Sequence, residues 1–544
     1  MSSTKSSENV LNLCPTEIWT MIIDILRWDS WGTLHSLNLS CRFFHHIVSP
    51  ALFSTVRIHF PLIKRPRAFL FRTERPAPPF PYFLSETSGS SLGPRTEEFK
   101  DNHRLHPFIE SNVGQRVFHH VRILVISYGL GYEEGNHSQP IQRLVENLRN
   151  LETIRWRGIP FPPQLVQILH GRQSPPQIYY EGAPQAITSE PLLIGASYIK
   201  SLSITCTPTP AQDNSANELG RVILSLPRLE QLSLKRAVDR FWRQSGTCLS
   251  HVFCLGPDSK LPRSLRILSF ANFTFTEEQA AAWARCIKAL NIYHLGLDGF
   301  SGILTLLSAL VSSVPGLRSF AIRVLSGPGA PMNPHFVPLL DYFLQSLNQL
   351  ECLFIRDLPK EVLDSAIHHQ GKHLHQLRFE ETGCSSMFPP AGSKVCAFSP
   401  DEIGQLAKGL PRVERLSLDL RFENHIHYEY LDALACFPGL KNIGFNTRDF
   451  RGERVTGDSP NKWLDESIAR EAFRYLDTRT RRRFAGLDIK VGQWDRIFYG
   501  SKNKELRYTY IYAAWRENDD MYEQTMDSAG LGRSDRVHFG PGIS

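Results

Sequence analysis

Along most of the chain, apolar side chains recur as apolar-x-x-apolar-x-apolar at intervals of roughly 24 to 48 residues. The pattern reads Val121-Leu124-Ile126, Leu151-Ile154-Trp156, Ile199-Leu202-Ile204, Leu229-Leu232-Leu234, Leu265-Leu268-Phe270 and Ile292-Leu295-Leu297. It continues as Leu317-Phe320-Ile322, Leu350-Leu353-Ile355, Leu374-Leu377-Phe379, Val413-Leu416-Leu418 and Leu440-Ile443-Phe445. The last two apolar positions are two apart, the period of a strand that buries one face. Helical spacing between these strands predicts helices over residues 277–290, 303–314, 338–347, 361–369 and 401–410. Pro338 suits a first helical turn, where a missing N–H costs nothing. One short strand plus one helix cannot bury its own apolar faces, so the units must stack. Right-handed crossovers between them predict a curved parallel sheet.

The first fifty residues follow a different rhythm. Ile18, Ile22, Ile25 and Leu26, then Leu34, Leu37 and Leu39, then Phe43, Phe44, Ile47 and Val48 recur at helical intervals. With Pro15 opening the run, Pro50 closing it and breaks at Trp31-Gly32 and Ser40, residues 11–54 predict three short amphipathic helices. About forty residues bury little surface alone, so part of this apolar surface should belong to a partner. Residues 55–117 hold one strand, 55–60, and then a stretch whose Pro76-Ala77-Pro78-Pro79-Phe80-Pro81 excludes helix and central strand, a partly disordered linker. Residues 118–450 are the repeat array. Residues 451–520 predict a C-terminal cap, with a helix over 467–477 and strands over 487–491 and 507–512. Gly, Ser and Asp in 521–544 predict a flexible tail.

The N-terminal residues Cys14-Pro15-Thr16-Glu17-Ile18, the run from Ile22 to Leu26, Cys41-Arg42-Phe43-Phe44 and Pro50-Ala51-Leu52-Phe53 together resemble the F-box. That family opens on Leu-Pro-x-Glu-Ile; here Cys14 takes the place of the leucine, with Leu13 one position earlier. The array resembles an irregular leucine-rich repeat, without a regular Asn after the strand and with widely scattered lengths. Joined, they resemble an F-box protein with a leucine-rich-repeat-like receptor, of a kind abundant in filamentous fungi. The fold class this implies is α/β: a three-helix module, an αβ solenoid with a curved parallel sheet, and a C-terminal cap. The function it implies is substrate recognition in an SCF-type cullin–RING ubiquitin ligase, a non-catalytic subunit. Pro15, Ile18, Leu26, Leu37, Phe43, Phe44, Leu52 and Phe53 would build the interface with the Skp-type adaptor, and through it a cullin, or pack beneath it. The repeats would hold a protein client. The other reading of the same residues is a repeat scaffold outside any ligase, with the F-box-like segment as a structural cap.

Composition narrows the chemistry. Of 544 residues, 42% are hydrophobic and 21% charged, enough for a core and too few charges for bulk disorder. A net charge of +7 without a Lys/Arg stripe interleaved with aromatics gives no expectation of nucleic acid. Ten cysteines without a CxxC pair, several in apolar runs, such as Cys286, Cys352 and Cys436, predict buried thiols in a reducing compartment. The polar N-terminus and the short apolar stretch at 303–314 predict an intracellular protein, cytoplasmic or nuclear, without membrane contact. Phosphate-loop, dinucleotide, nucleophile-elbow and zincin motifs do not occur, so neither an enzyme nor a cofactor is expected. His369 and His373 have metal-ligand spacing, with His368 and His375 beside them, but Gly371 should end the helix between them, and no metal site is expected. Scattered Trp156, Trp242, Trp283, Trp463 and Trp494 suggest packing.

The open face of the sheet is the candidate site. Residues flanking the buried pair of each strand place Arg155, Arg157, Lys235, Arg323, Arg356, Arg378 and Arg415 there, against Asp298, Glu380 and Asp419. Such a bias predicts a client segment that is acidic or phosphorylated, held by charge-assisted hydrogen bonds.

Overall fold

The computed structural model describes residues 15, 18–19, 22–23, 31–60, 98–99, 107, 109–128, 138–158, 161–183, 193–206, 214–236, 247–249, 253, 255–256, 258–299, 302–324, 334–381, 398–420, 428–448, 466–480, 486–496, 504–517, 520–527 and 532–537. They form two compact units, one of residues 1–207, 212–232 and 262–264, the other of 208–211, 233–261 and 265–544.

The first unit starts with helices α1 (Trp31–Ser40) and α2 (Arg42–Leu52). Trp31-Gly32 lies inside α1 and not at a break, and Pro50 lies inside α2, which runs on to Leu52. A proline near a helix end removes one backbone bond, and Phe53 N donating to Ser49 O at 2.9 Å closes the turn around it. Strands β1 (Thr55–Phe60), β2 (Ile123–Tyr128), β3 (Thr153–Arg157), β4 (Gln177–Gly182) and β5 (Ile199–Cys206) pair in parallel, β1 directly with β2. Residues 55–60, placed in the linker by sequence, are thus a rung of this sheet. Helices α3 (Ser138–Asn147), α4 (Pro163–His170) and α5 (Asn214–Ser225) belong to the same unit. Their apolar stripes are buried: Ile141, Leu144, Leu165 and Leu169 are at 0% exposure. Strand β4 and helices α3 to α5 were not among the elements the pattern predicted. Strand Gln231–Arg236 has residues in each unit.

The second unit alternates β6 (Ile267–Ala271), α6 (Glu277–Lys288), β7 (His294–Gly299), α7 (Ile303–Leu310), β8 (Ser319–Val324), α8 (Phe336–Gln345), β9 (Cys352–Leu358) and α9 (Glu361–Gln370). Then follow β10 (Gln376–Glu381), α10 (Pro400–Gly409), β11 (Arg415–Asp419), α11 (Tyr428–Ala435), β12 (Asn442–Arg448) and α12 (Glu466–Arg479). The five predicted helices are present with ends shifted by a few residues. Thr276 and Ser399 open α6 and α10 as reciprocal capping boxes with Gln279 and Glu402.

Every strand pair from β6 to β12 is parallel, with one register shift, between Arg356 and Leu358 on β9 against β10. Leu295, Phe320, Leu353, Leu377, Leu416 and Ile443 form one row across the sheet, and Leu297, Ile322, Ile355, Phe379, Leu418 and Phe445 the next. These are the two strand positions of the repeated pattern. The first position of the pattern, at Leu317, Leu350, Leu374 and Val413, is also fully buried. Register is set by a recurring bond: the carbonyl before one strand accepts two consecutive N–H groups leading into the next. Arg318 O takes Glu351 N and Cys352 N at 2.7 and 2.9 Å, and Glu351 O takes His375 N and Gln376 N at 2.8 and 3.0 Å. In the first unit Ser54 O takes Arg122 N and Ile123 N at 2.8 and 2.9 Å, so the ladder starts directly after α2. Adjacent helix ends come very close: a Cβ on Gly371 would overlap the carbonyl oxygen of Gly409 one repeat on.

Strand β13 (Gly486–Arg496) continues the parallel order, and β14 (Lys504–Glu517), β15 (Asp520–Asp527) and β16 (Gly532–Val537) turn antiparallel. Helix α12, predicted over 467–477, buries Ala472, Phe473 and Leu476. Beyond residue 520, where composition predicts a flexible tail, β15 and β16 extend the sheet; an antiparallel partner satisfies backbone groups whatever the side chains are.

Candidate functional site

Pro15 is exposed, and its carbonyl accepts from Ile18 N and Trp19 N at 3.1 and 3.3 Å, forming the first helical turn. Ile23, Val48 and Leu52 are the buried core here, with Leu37, Phe44, Ile47, Ala51 and Phe53 packed against it. Trp19, Phe43 and Phe44 meet edge to face at 5.1 to 6.0 Å. Ile18, Ile22 and Leu39 remain 44%, 36% and 71% exposed. The eight residues carried by the resemblance therefore divide. Leu52 is core, Leu37, Phe44 and Phe53 support it, Phe43 belongs to the aromatic trio, and Pro15 and Ile18 face outward. Leu26 and Cys14 lie outside the described residues. Sequence reasoning left Ile22 and Leu39 out of the surface. For Leu39 the signal was present, since it stands two residues from Leu37 and cannot share its helical face. It also missed Asn38 and Ser49, at 7% and 2% exposure, whose buried bond (Ser49 Oγ to Asn38 Oδ1, 2.9 Å) ties α1 to α2.

On the strands of each unit taken separately, the cations come with carboxylates. Arg157 reaches Glu181 at 2.9 Å and Arg323 reaches Asp298 at 3.9 Å. Glu380, 3% exposed, accepts a hydrogen bond from Arg378 Nε at 2.8 Å and forms an ion pair with Arg356, whose Nε lies 2.8 Å from its other carboxylate oxygen. Register places Asp298, Arg323, Arg356 and Glu380 side by side on β7 to β10. The guanidinium of Arg155 lies 6.0 Å from the Tyr179 ring centre, and Lys235 and Arg415 are half-buried. Seven cations against three anions undercounts the acids, because Glu181 stands on β4, a strand the repeat pattern did not reveal. Arg157–Glu181 is half-exposed and contributes little. The Glu380 cluster is different: a buried carboxylate chelated by two arginines is a rigid feature with outward-facing guanidinium edges, both side chains being about a quarter exposed.

The histidine cluster resolves into a structural tie. Helix α9 ends at Gln370 with Gly371 as its cap, so His373 lies beyond it. His369 Nε2 and Ser365 Oγ both bond Asp341 Oδ1, the former at 2.9 Å, joining α9 to α8. Those bonds, that of Ser365 foremost, hold the Asp341 carboxyl below its usual range. Among the described residues no group of three or more His, Cys, Asp or Glu is placed to hold a metal ion. Trp156 and Trp283, at 1% exposure, are core. Cys206 is buried, and burial pushes its thiol up to about 12, but Cys286 and Cys352 are only half-buried and Cys436 is exposed, unlike the sequence expectation. Cys436 sits past the end of α11, where the apolar stripe has turned away.

His294, at the start of β7, has Nδ1 2.8 Å from Ser319 Oγ, and burial pushes its pKa down from 6.5 to about 4. The unfolded chain then takes up a proton that the folded one refuses. The contribution is complete above about pH 6.5 and is lost as pH falls toward 4, about 2 kcal/mol by about pH 5. His294→Asn should flatten this part of the profile in urea unfolding at about pH 7.5 and about pH 5; an unchanged slope would refute the assignment.

Among the described residues no helix is long and apolar enough to cross a membrane. No family model and no curated protein matches the chain. Among solved structures, that of a TLR13–ssRNA13 complex is similar at 15% identity with a TM-score of 0.27, covering 62% of this chain. The chain spans 38% of that protein's length, and a likeness of this size carries no argument about fold or function.

Proposed function

We propose that this chain is a non-catalytic interaction scaffold whose N-terminal helices dock a Skp-type adaptor and whose repeats present a protein client to an SCF-type ubiquitin ligase. Catalysis then belongs to the other subunits, and the chain acts by holding the client near them. The observation that carries this reading is the outward apolar set Ile18, Ile22 and Leu39 on the residues that resemble the F-box. Large apolar side chains left exposed on so small a helical module favour a contact with another protein. The client would lie on the open sheet face, where Arg356 and Arg378 are pre-positioned by Glu380 and Arg415 stands on the next strand but one from Arg356. Such a client would be acidic or phosphorylated.

Co-purification with a Skp-type adaptor tests it. Ile18→Glu with Leu39→Glu should abolish adaptor binding at unchanged helix content, because both side chains are exposed and contribute little to folding. Full-strength binding by this variant would overturn the ligase reading. One observation favours the second reading, a structural cap: Val48 and Leu52 are buried, and Ser54 O starts the ladder of parallel strands. Under that reading the adaptor does not bind the unaltered chain at all.

A further inference from the structure

Four histidines and an arginine crowd one joint of the first unit. His45 and His46 stand on α2 with rings 6.1 Å apart. His119 and His120 end the short helical turn Phe118–His120 with ring centres 3.6 Å apart, and Arg122 leads into β2. The floor of the joint is apolar, with Val48, Leu52, Phe118 and Val121 at 0 to 3% exposure. Two backbone bonds to Ser54 O, from Arg122 N and Ile123 N, fasten the segment after α2 to the start of β2. The charged groups that act on His120 are His119 on its own turn, His45 and His46 on α2, and Arg122 at the start of β2. None is a carboxylate. Glu152, the residue before β3, is engaged with Arg122 at 3.2 Å.

We propose that this joint is a proton-sensitive latch centred on His120: while its imidazole is neutral α2 rests on the turn, and its protonation sets a cation beside Arg122 in a half-buried contact and loosens the α1–α2 pair from β1 and β2. Burial first, and these neighbours next, press His120 from 6.5 down to about 4. A group that resists protonation while docked and accepts it when released makes release easier as pH falls from about 6.5 toward 4. The cations are partly solvated, so the effect is screened and bounded at about tenfold by about pH 5.

Hydrogen exchange of the full chain at about pH 7.5 and about pH 5, corrected for intrinsic rates, tests the latch. Protection in residues 42–54 and 118–128 should fall about tenfold at the lower pH, with residues 400–419 as the internal reference. His119→Gln with His120→Gln should keep protection at both pH values. Should that variant fold poorly, salt at about 0.5 M on the unaltered chain should shrink the drop, since it screens partly exposed charges. Unchanged protection of residues 42–54 at the lower pH, an equal drop in a folded double variant, or a drop indifferent to salt would each overturn the proposal.

Discussion

Gln370→Met should destabilise the second unit by about 4 kcal/mol, although the two side chains are close in volume. Gln370 is 2% exposed at the last position of α9. Its Nε2 donates to Leu344 O and Leu347 O, both at 2.9 Å, and its Oε1 accepts from Leu350 N at 3.0 Å. Leu344 O lies in the last turn of α8, where it also accepts from Leu347 N at 3.3 Å, Leu347 O follows that helix, and the N–H belongs to the first apolar position before β9. One amide thus satisfies three buried backbone groups where the preceding repeat turns from helix to strand. Methionine fills the space and satisfies none of them, at about 1–3 kcal/mol for each group left unpaired. Urea unfolding gives the size, and exchange of the Leu350 amide gives the place. A loss below about 1 kcal/mol would mean that water or the backbone replaces the bonds.

Glu380→Ala should cost about 3–5 kcal/mol, and the reason is the partners it leaves behind. Its carboxylate is nearly fully buried between Arg356 and Arg378, and without it two guanidinium groups face each other on adjacent strands. Replacing the whole cluster, as Arg356→Met with Arg378→Met and Glu380→Met, should recover most of that loss, because three apolar side chains need no compensation. The same substitutions bear on function. Glu380→Ala uncovers two cations on the proposed client face, so an acidic peptide should bind it more tightly at low salt than the unaltered chain. The triple variant should bind it weakly. Stability falling in step with acidic-peptide affinity in the alanine variant would contradict an anion-binding role for this face.

Much of this architecture is legible in the chain. The rows of Leu, Ile and Phe at the second and third pattern positions fall in register from β6 to β12, and the stop at Gly371 lies one residue past the end of α9. Strand β4 was hidden, because Ile178 and Tyr180 follow Ser174-Pro175-Pro176 without the leading apolar residue of the pattern. Its absence from the reading cost Glu181 and distorted the charge count. In the N-terminal helices, apolar spacing located the segments and left their buried and outward residues undivided, because periodicity marks a face without saying what covers it.

What the sequence by itself determined is therefore the repeated unit: a strand of one-sided apolar alternation, a helix, and the need for neighbours to cover both, all consequences of local period and of apolar surface excluded from water. What only the tertiary structure decided is who meets whom across repeats. Gln370 clasping the previous helix, Glu380 between two arginines, and His120 among like neighbours each join residues on different elements. Hydrogen bonds and ion pairs need particular atoms within about 3 Å, and nothing in the local pattern sets those distances.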